Sequence, residues 1–201
     1  MKFDNTIFNR ILDDWVIVKN HCRRTMNKEF TDKVPTDDFK KKLLISEHSP
    51  IRILEFDWSW KNIPYWVSTE WSRHKFEKYI SSQRNDRQEN YDRNSARQDA
   101  PVNFDGFANM QNLIDAFRKR LCHQATDEAR ELAENFKKEL SKTHKLEADV
   151  LVPNCVYRAG CPEPKCCGYW QKFLRWCNEN SKDIHTIQDR YNSYNEFFKS
   201  F

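Results

Sequence analysis

Glycine is nearly absent from this chain: three in 201 residues, at positions 106, 160 and 168. Glycine supplies the left-handed backbone and the close backbone approach that phosphate-cradling loops require. With so few, neither a GxGxxG turn nor a GxxxxGK[ST] loop can be written, which excludes a Rossmann site and a P-loop. Any nucleotide must then be held by side chains and helix ends. Rings carry the apolar part instead, with seven Trp and fourteen Phe. Each ring buries a large area, so one domain of this length can build a core despite a mean hydropathy of -0.94.

Charge narrows the partners. The 34 basic and 30 acidic residues leave a net charge of +4. A dedicated nucleic-acid binder would usually carry a basic block or a much larger excess; no nucleic-acid partner is expected, although composition alone does not separate the readings. A small surplus suits a pocket for a phosphorylated small molecule. No apolar stretch follows Met1-Lys2-Phe3-Asp4-Asn5 to serve as a signal peptide. Nothing approaches the roughly 20 apolar residues of a membrane helix. The expected place is the cytoplasm, with the seven Cys reduced. Cys155, Cys161, Cys166, Cys167 and Cys177 do not follow CxxC knuckle spacing, and no metal ligand is assigned.

Periodicity predicts a first amphipathic helix over 7–20, from Ile7, Ile11, Trp15 and Val18, and a polar loop over 27–40. Leu54, Phe56, Trp58 and Trp60 alternate within 51–60, the pattern of a half-buried strand. Pro64 suits the first turn of a helix over 65–81, on which Val67, Trp71, His74 and Lys78 share a side. Residues 82–106 read as a long polar loop. One long helix is predicted from about Asn109 to Ser141, with Leu113, Phe117, Leu121, Ala125, Ala129, Leu132, Phe136 and Leu140 along its seam. Leu151-Val152 looks strand-like, and the aromatic tail from Trp170 to Phe201 looks helical.

Within this frame the basic residues Arg73, His74 and Lys75 are consecutive. Ser82, Arg84 and Arg97 sit in the polar stretch, and Arg120 lies near the apolar seam of the long helix. Arg forks match phosphate and carboxylate oxygens, and a Ser hydroxyl adds to such a site. Taken singly, each is equally a solvated surface charge. Their order carries more. His48-Ser49-Pro50 leads into a strand, Glu70-Trp71-Ser72-Arg73-His74-Lys75 follows, then Ser82-Gln83-Arg84, Ala96-Arg97, Ala100-Pro101, and a helix with Asn109, Arg120 and Glu128. This series resembles the flavin-dependent thymidylate synthases, whose signature is Arg-His-Arg, seven residues, then Ser with a nearby Arg. Here Lys75 replaces the second Arg, six residues separate it from Ser82, and Glu70 stands where the family has Gln. The match spans 47–130, within a single domain of 1–201 that ends in a Cys-rich, helical extension over 151–201.

The resemblance implies an α/β fold of the α+β kind, with a central sheet and long helices. It implies methylation of dUMP to dTMP, with FAD as cofactor and methylenetetrahydrofolate and NADPH as co-substrates, in a homotetramer with shared active sites. By position, Ser49, Arg73, His74, Lys75, Asn109 and Asp115 would meet FAD. Glu70, Arg73, Ser82, Gln83, Arg84, Arg97 and Arg120 would meet dUMP. Arg120 and His48 would be the catalytic pair, Arg120 stabilising charge on the uracil ring. The alternatives are a divergent homologue that handles another pyrimidine nucleotide or a nucleic acid, and a small protein organised by a Cys-bound metal.

Overall fold

The computed structural model describes residues 6–200. Residues 7–20 do not form one helix. They split into β1 (Ile7–Leu12) and α1 (Trp15–Arg24), and Asp14 caps the helix by accepting the Ile17 N–H at 2.9 Å. The end of the expected 27–40 loop is instead the start of α2 (Asp37–Ile45), capped by the Thr36 hydroxyl. A 3-10 turn (Ser49–Ile53) then feeds β2 (Glu55–Pro64), whose Phe56, Trp58 and Trp60 are buried as their alternation predicts.

Four further expectations are corrected. The helix after Pro64 stops early, as α3 (Tyr65–Trp71), and β3 (Glu77–Ile80) replaces its predicted second half. Arg73, His74 and Lys75 therefore occupy a turn, not a helix. The polar stretch ends in β4 (Pro101–Asn109), where Val102, Phe104, Gly106 and Ala108 point inward. The long helix is two, α4 (Met110–Arg120) and α5 (Asp127–Ser141). Its seam survives the break because Leu113, Phe117, Ala129, Leu132, Phe136 and Leu140 are all buried. Leu151 and Val152 are buried but lie outside any strand. Short helices α6 (Lys145–Asp149) and α7 (Asn154–Tyr157) precede α8 (Tyr169–Glu179) and α9 (Ile187–Lys199), so the tail is helical as expected.

The four strands form one antiparallel sheet in the order β1-β2-β4-β3. This is the α/β class expected, with helices against the sheet. Phe136 of α5 meets Trp58 edge-on at 5.2 Å, and Trp58 meets Trp60 at 5.6 Å. Such ring pairs add about 0.5–1.5 kcal/mol each beyond their buried area. Gly106 lies across from Trp58 on β4, where an added Cβ would overlap the indole. Rings from α8 and α9 join the same buried cluster, Phe173 lying 5.5 Å from Phe197. Among the described residues no helix is long and apolar enough to cross a membrane.

Candidate functional site

The turn after α3 is built by short backbone links. His74 donates its N–H to Trp71 O at 3.2 Å, and Phe76 donates to His74 O at 3.0 Å. Lys78, from β3, reaches back to the His74 carbonyl at 3.0 Å and to that of Phe76 at 3.2 Å. The His74 ring lies 5.8 Å from Trp71 and 6.3 Å from Phe76, its plane only 7° from the latter. Packing thus fixes the imidazole between two rings and a strand.

Arg120 fixes it from the other side. The last residue of α4, it donates Nε to His74 Nε2 at 2.8 Å, Nη1 to Glu70 Oε2 at 2.6 Å, and Nη2 to Glu70 O at 2.8 Å. Thr126, just before α5, donates its hydroxyl to Glu70 Oε1 at 3.0 Å. Glu70, His74 and Arg120 thus form one network that joins the end of α3 to the α4–α5 junction. Burial, and then the charges of Arg120 and Lys78, hold the His74 pKa down to about 4. Burial also lowers the Arg120 pKa, Glu70 opposes that, and Arg73 adds to it. An imidazole whose Nε2 accepts a hydrogen bond carries its proton on Nδ1 when neutral.

Beside this network opens a cavity of about 450 Å³, lined by His74, Lys75, Lys78, Asn109, Asn112 and Glu55 among others. Asn109 is placed by chain direction. It ends β4 and caps α4, its side-chain oxygen accepting the Asn112 N–H at 3.0 Å. Glu55 and Asn112 were not singled out from the sequence, and Lys78 was placed only on the side of an expected helix that is β3 instead. The Asn109-x-x-Asn112 spacing at a strand-to-helix junction was a readable cap signal, whereas Glu55 and Lys78 reach the cavity only because β2, β3 and β4 are neighbours.

The other sequence-derived residues lie apart from this lining. His48 and Ser49 are exposed at the start of the 3-10 turn. Ser82, Arg84 and Arg97 are exposed in the segment between β3 and β4, and Gln83 is half-buried there. Arg84 pairs with Asp86 at 2.6 Å, and Arg97 with Asp99 at 2.9 Å. The two adjacent serines differ. Ser81 Oγ accepts the Asn103 N–H at 2.9 Å and is committed to the sheet, while Ser82 Oγ accepts only the nearby Arg84 N–H, at 3.3 Å. Asp115 is exposed on α4, 3.5 Å from Arg118. Arg118 itself pairs with Glu47 and lies 3.6 Å from the Tyr157 ring centroid. No group of three or more His, Cys, Asp or Glu among the described residues is arranged to hold a metal ion.

This antiparallel sheet crossed by α5, with a basic turn at its edge, is a ThyX-like fold. Solved structures of two proteins show the likeness. Thymidylate synthase X (ThyX) from Helicobacter pylori, solved with FAD and dUMP, superposes with a TM-score of 0.59 at 14% identity over 73% of this chain and 98% of that one. A second structure of the H. pylori enzyme, again with FAD and dUMP, gives a TM-score of 0.61 at 15% identity over 74% and 100%. The UMP/dUMP methylase PolB from Streptomyces cacaoi, bound with 5-Br dUMP, gives 0.60 at 11% identity over 72% and 93%. No protein-family model matches the chain, and no curated protein sequence matches it.

Proposed function

We propose that this chain is a flavin-dependent methylase of dUMP, making dTMP with methylenetetrahydrofolate as carbon donor and NADPH as reductant. The observation that carries the reading is the cavity edged by His74, Lys75 and Asn109, in a fold shared with enzymes solved with FAD and dUMP. The lining offers polar and ring contacts to a nucleotide cofactor: Lys75 an ammonium group, Asn109 and Asn112 amides, and His74 and Phe76 near-parallel rings, while Lys78 is engaged by two carbonyls and Glu55 and Glu77 add carboxylates. FAD would be held by His74, Lys75 and Asn109, joined by Arg73, Ser49 and Asp115 in the assembled protein, and when reduced it supplies the hydride.

The chain's own residues then bind and orient. His74, neutral at working pH, offers Nδ1–H as a fixed donor. Three of the five N–H donors of Arg120 hold His74 and Glu70, which leaves two for its proposed role of stabilising charge on the uracil ring. A carboxylate beside a nucleotide phosphate would repel it, and the pairing of Glu70 with Arg120 offsets that charge. Ser82, Gln83, Arg84 and Arg97 are the proposed phosphate set. Their present ion pairs are solvent-exposed and contribute little, so an arriving phosphate can displace Asp86 and Asp99. His48 is proposed at the rim. A drug-sized ligand fills roughly 300–1,000 Å³, and FAD with dUMP exceeds one such ligand. The 450 Å³ cavity is therefore read as part of a site completed by other subunits of a homotetramer.

The test is direct. The purified chain is loaded with FAD, freed of excess, and assayed with methylenetetrahydrofolate, NADPH and dUMP or, in parallel, UMP. Flavin retention and dTMP formation are expected, together with rescue of a thymidine-requiring bacterium. A chain that retains no flavin, or a loaded chain that converts neither nucleotide, overturns the reading.

A further inference from the structure

A second cavity lies away from this site, at the junction of α5, α6 and α9. It measures about 320 Å³ and is lined by Lys137, Lys138, Ala148, Asn195, Phe198 and Lys199, with others. Lys137 is unusual there. It is 3% exposed, in the middle of α5, and its Nζ donates to the Ala148 carbonyl at 2.6 Å. The rings of Tyr194 and Phe198 lie 5.6 Å and 5.5 Å from the same nitrogen. An ammonium has three N–H donors, and one carbonyl and two ring faces do not neutralise its charge. Asp149, the one carboxylate in the lining, is already paired with Lys145. Lys138 and Lys199 add positive charge at the exposed rim, while Phe198 and Ala148 supply apolar wall.

We propose that this cavity binds a small organic monocarboxylate with an apolar body, its carboxylate anchored by the Lys137 ammonium and its body against Phe198 and Ala148. Burying a lone charge costs several kcal/mol unless it gains a partner. A carboxylate is the partner the site lacks, and one negative charge suffices for one buried amine. The groups facing Lys137 are Lys145 and Asp149 from the α6 side, and Tyr194 and Lys199 from α9. Burial and the two lysines hold its pKa down to about 7, with Asp149 opposing. A bound carboxylate must therefore raise that value, and binding must be tighter at pH 6 than at pH 9.

Benzoate is the probe, titrated calorimetrically into the full chain beside acetate, which lacks the apolar body, and benzyl alcohol, which lacks the charge. Saturable benzoate binding is expected, with acetate and benzyl alcohol each weaker by about tenfold or more, a difference of about 1.4 kcal/mol. Lys137→Met keeps the side-chain volume and should abolish the benzoate signal. In the wild-type chain, benzoate should also protect Lys137 from an amine-acetylating reagent read by peptide mass spectrometry, a measurement that needs no variant to fold. Unchanged benzoate affinity in a folded Lys137→Met chain, or acetylation of Lys137 that saturating benzoate does not slow, overturns the proposal.

Discussion

Arg120 donates its Nε hydrogen to Nε2 of His74 at 2.8 Å, across 46 residues of sequence. That one bond decides which ring nitrogen carries the proton and turns Nδ1 outward as a donor. Nitrogen NMR of the imidazole should therefore report the Nδ1–H tautomer at neutral pH. In Arg120→Met the His74 pKa should climb from about 4, yet stop short of its ordinary value, because burial contributes more to the depression than Arg120 does. A full return to the ordinary value would show that the charge, not burial, dominates.

Acid should loosen the fold chiefly through one imidazole. His74 titrates at about 4 in the folded chain, against 6.5 as its ordinary value, and His123 is drawn down likewise, but its exposure gives it the smaller share. Between those values the unfolded chain takes up protons that the folded one refuses, so stability falls as pH drops through this window and recovers as it rises. Denaturant midpoints measured across pH 4–6.5 should show this slope. His74→Gln, which keeps an acceptor for Arg120, should flatten it by His74's share.

Lys137 carries the same logic to alkaline pH. Its amine is held at about 7 in the fold and at 10.5 otherwise, so without ligand the fold should gain stability as pH rises from 7 to 10. Lys137→Met should remove that slope and stabilise the chain at pH 7 by about 1 kcal/mol, as replacing a buried charge by an apolar side chain often does. The Ala148 carbonyl keeps the Leu151 N–H at 3.1 Å, so no acceptor is orphaned. A destabilised variant would contradict this.

Gly106→Ala should be costly although the residue is small and its strand regular. The added methyl group would overlap the indole of Trp58, which is fully buried against Trp60 and Phe136. Overpacking of this kind costs about 3 kcal/mol, to be read as a lowered thermal midpoint. An unchanged midpoint would mean the sheet yields more easily than its packing implies.

Glu47→Ala should cost a similar amount. It strips the carboxylate from Arg118, whose side chain is 13% exposed and whose Nε is buried without a hydrogen-bond partner. Breaking a buried pair from one side costs about 3 kcal/mol. Chemical denaturation of the variant measures it, and a loss below about 1 kcal/mol would place the pair among ordinary surface contacts.

Much of the fold was legible, and the misreadings share a cause. Ile7 and Ile11 satisfy a helical period, but the chain turns at Asp13-Asp14, and pairing with β2 claims the first half as a strand. Val102, Phe104, Gly106 and Ala108 alternate plainly, yet polar neighbours and a small glycine hid a strand that only Trp58 explains. The break before α5 was announced by Thr126 ahead of Asp127 and Glu128, a cap-type residue before an acidic first turn, although the Thr126 hydroxyl goes to Glu70 and not to the helix. At the site, the resemblance named His74, Lys75 and Asn109, which line one cavity, and Arg120, which bonds His74 on one side and Glu70 on the other. Lys78 and Glu55 had no signal of their own, since strand order alone brings them in. Glu47 and Arg118, 71 residues apart, could be paired only by the fold.

The indole cluster gives the chain a built-in optical gauge. Trp58 and Trp71 bury their Nε1–H groups with no acceptor, and Trp60 gives its own to Thr6 at 2.8 Å. Indoles this dry emit at shorter wavelength than wetted ones, so unfolding should shift their fluorescence to the red. Trp58 also lies 5.3 Å from Phe76, a wall of the cavity beside His74. A chromophore entering there would stand one ring away from the brightest part of the core and drain its light, so the protein's own glow would dim as the site fills.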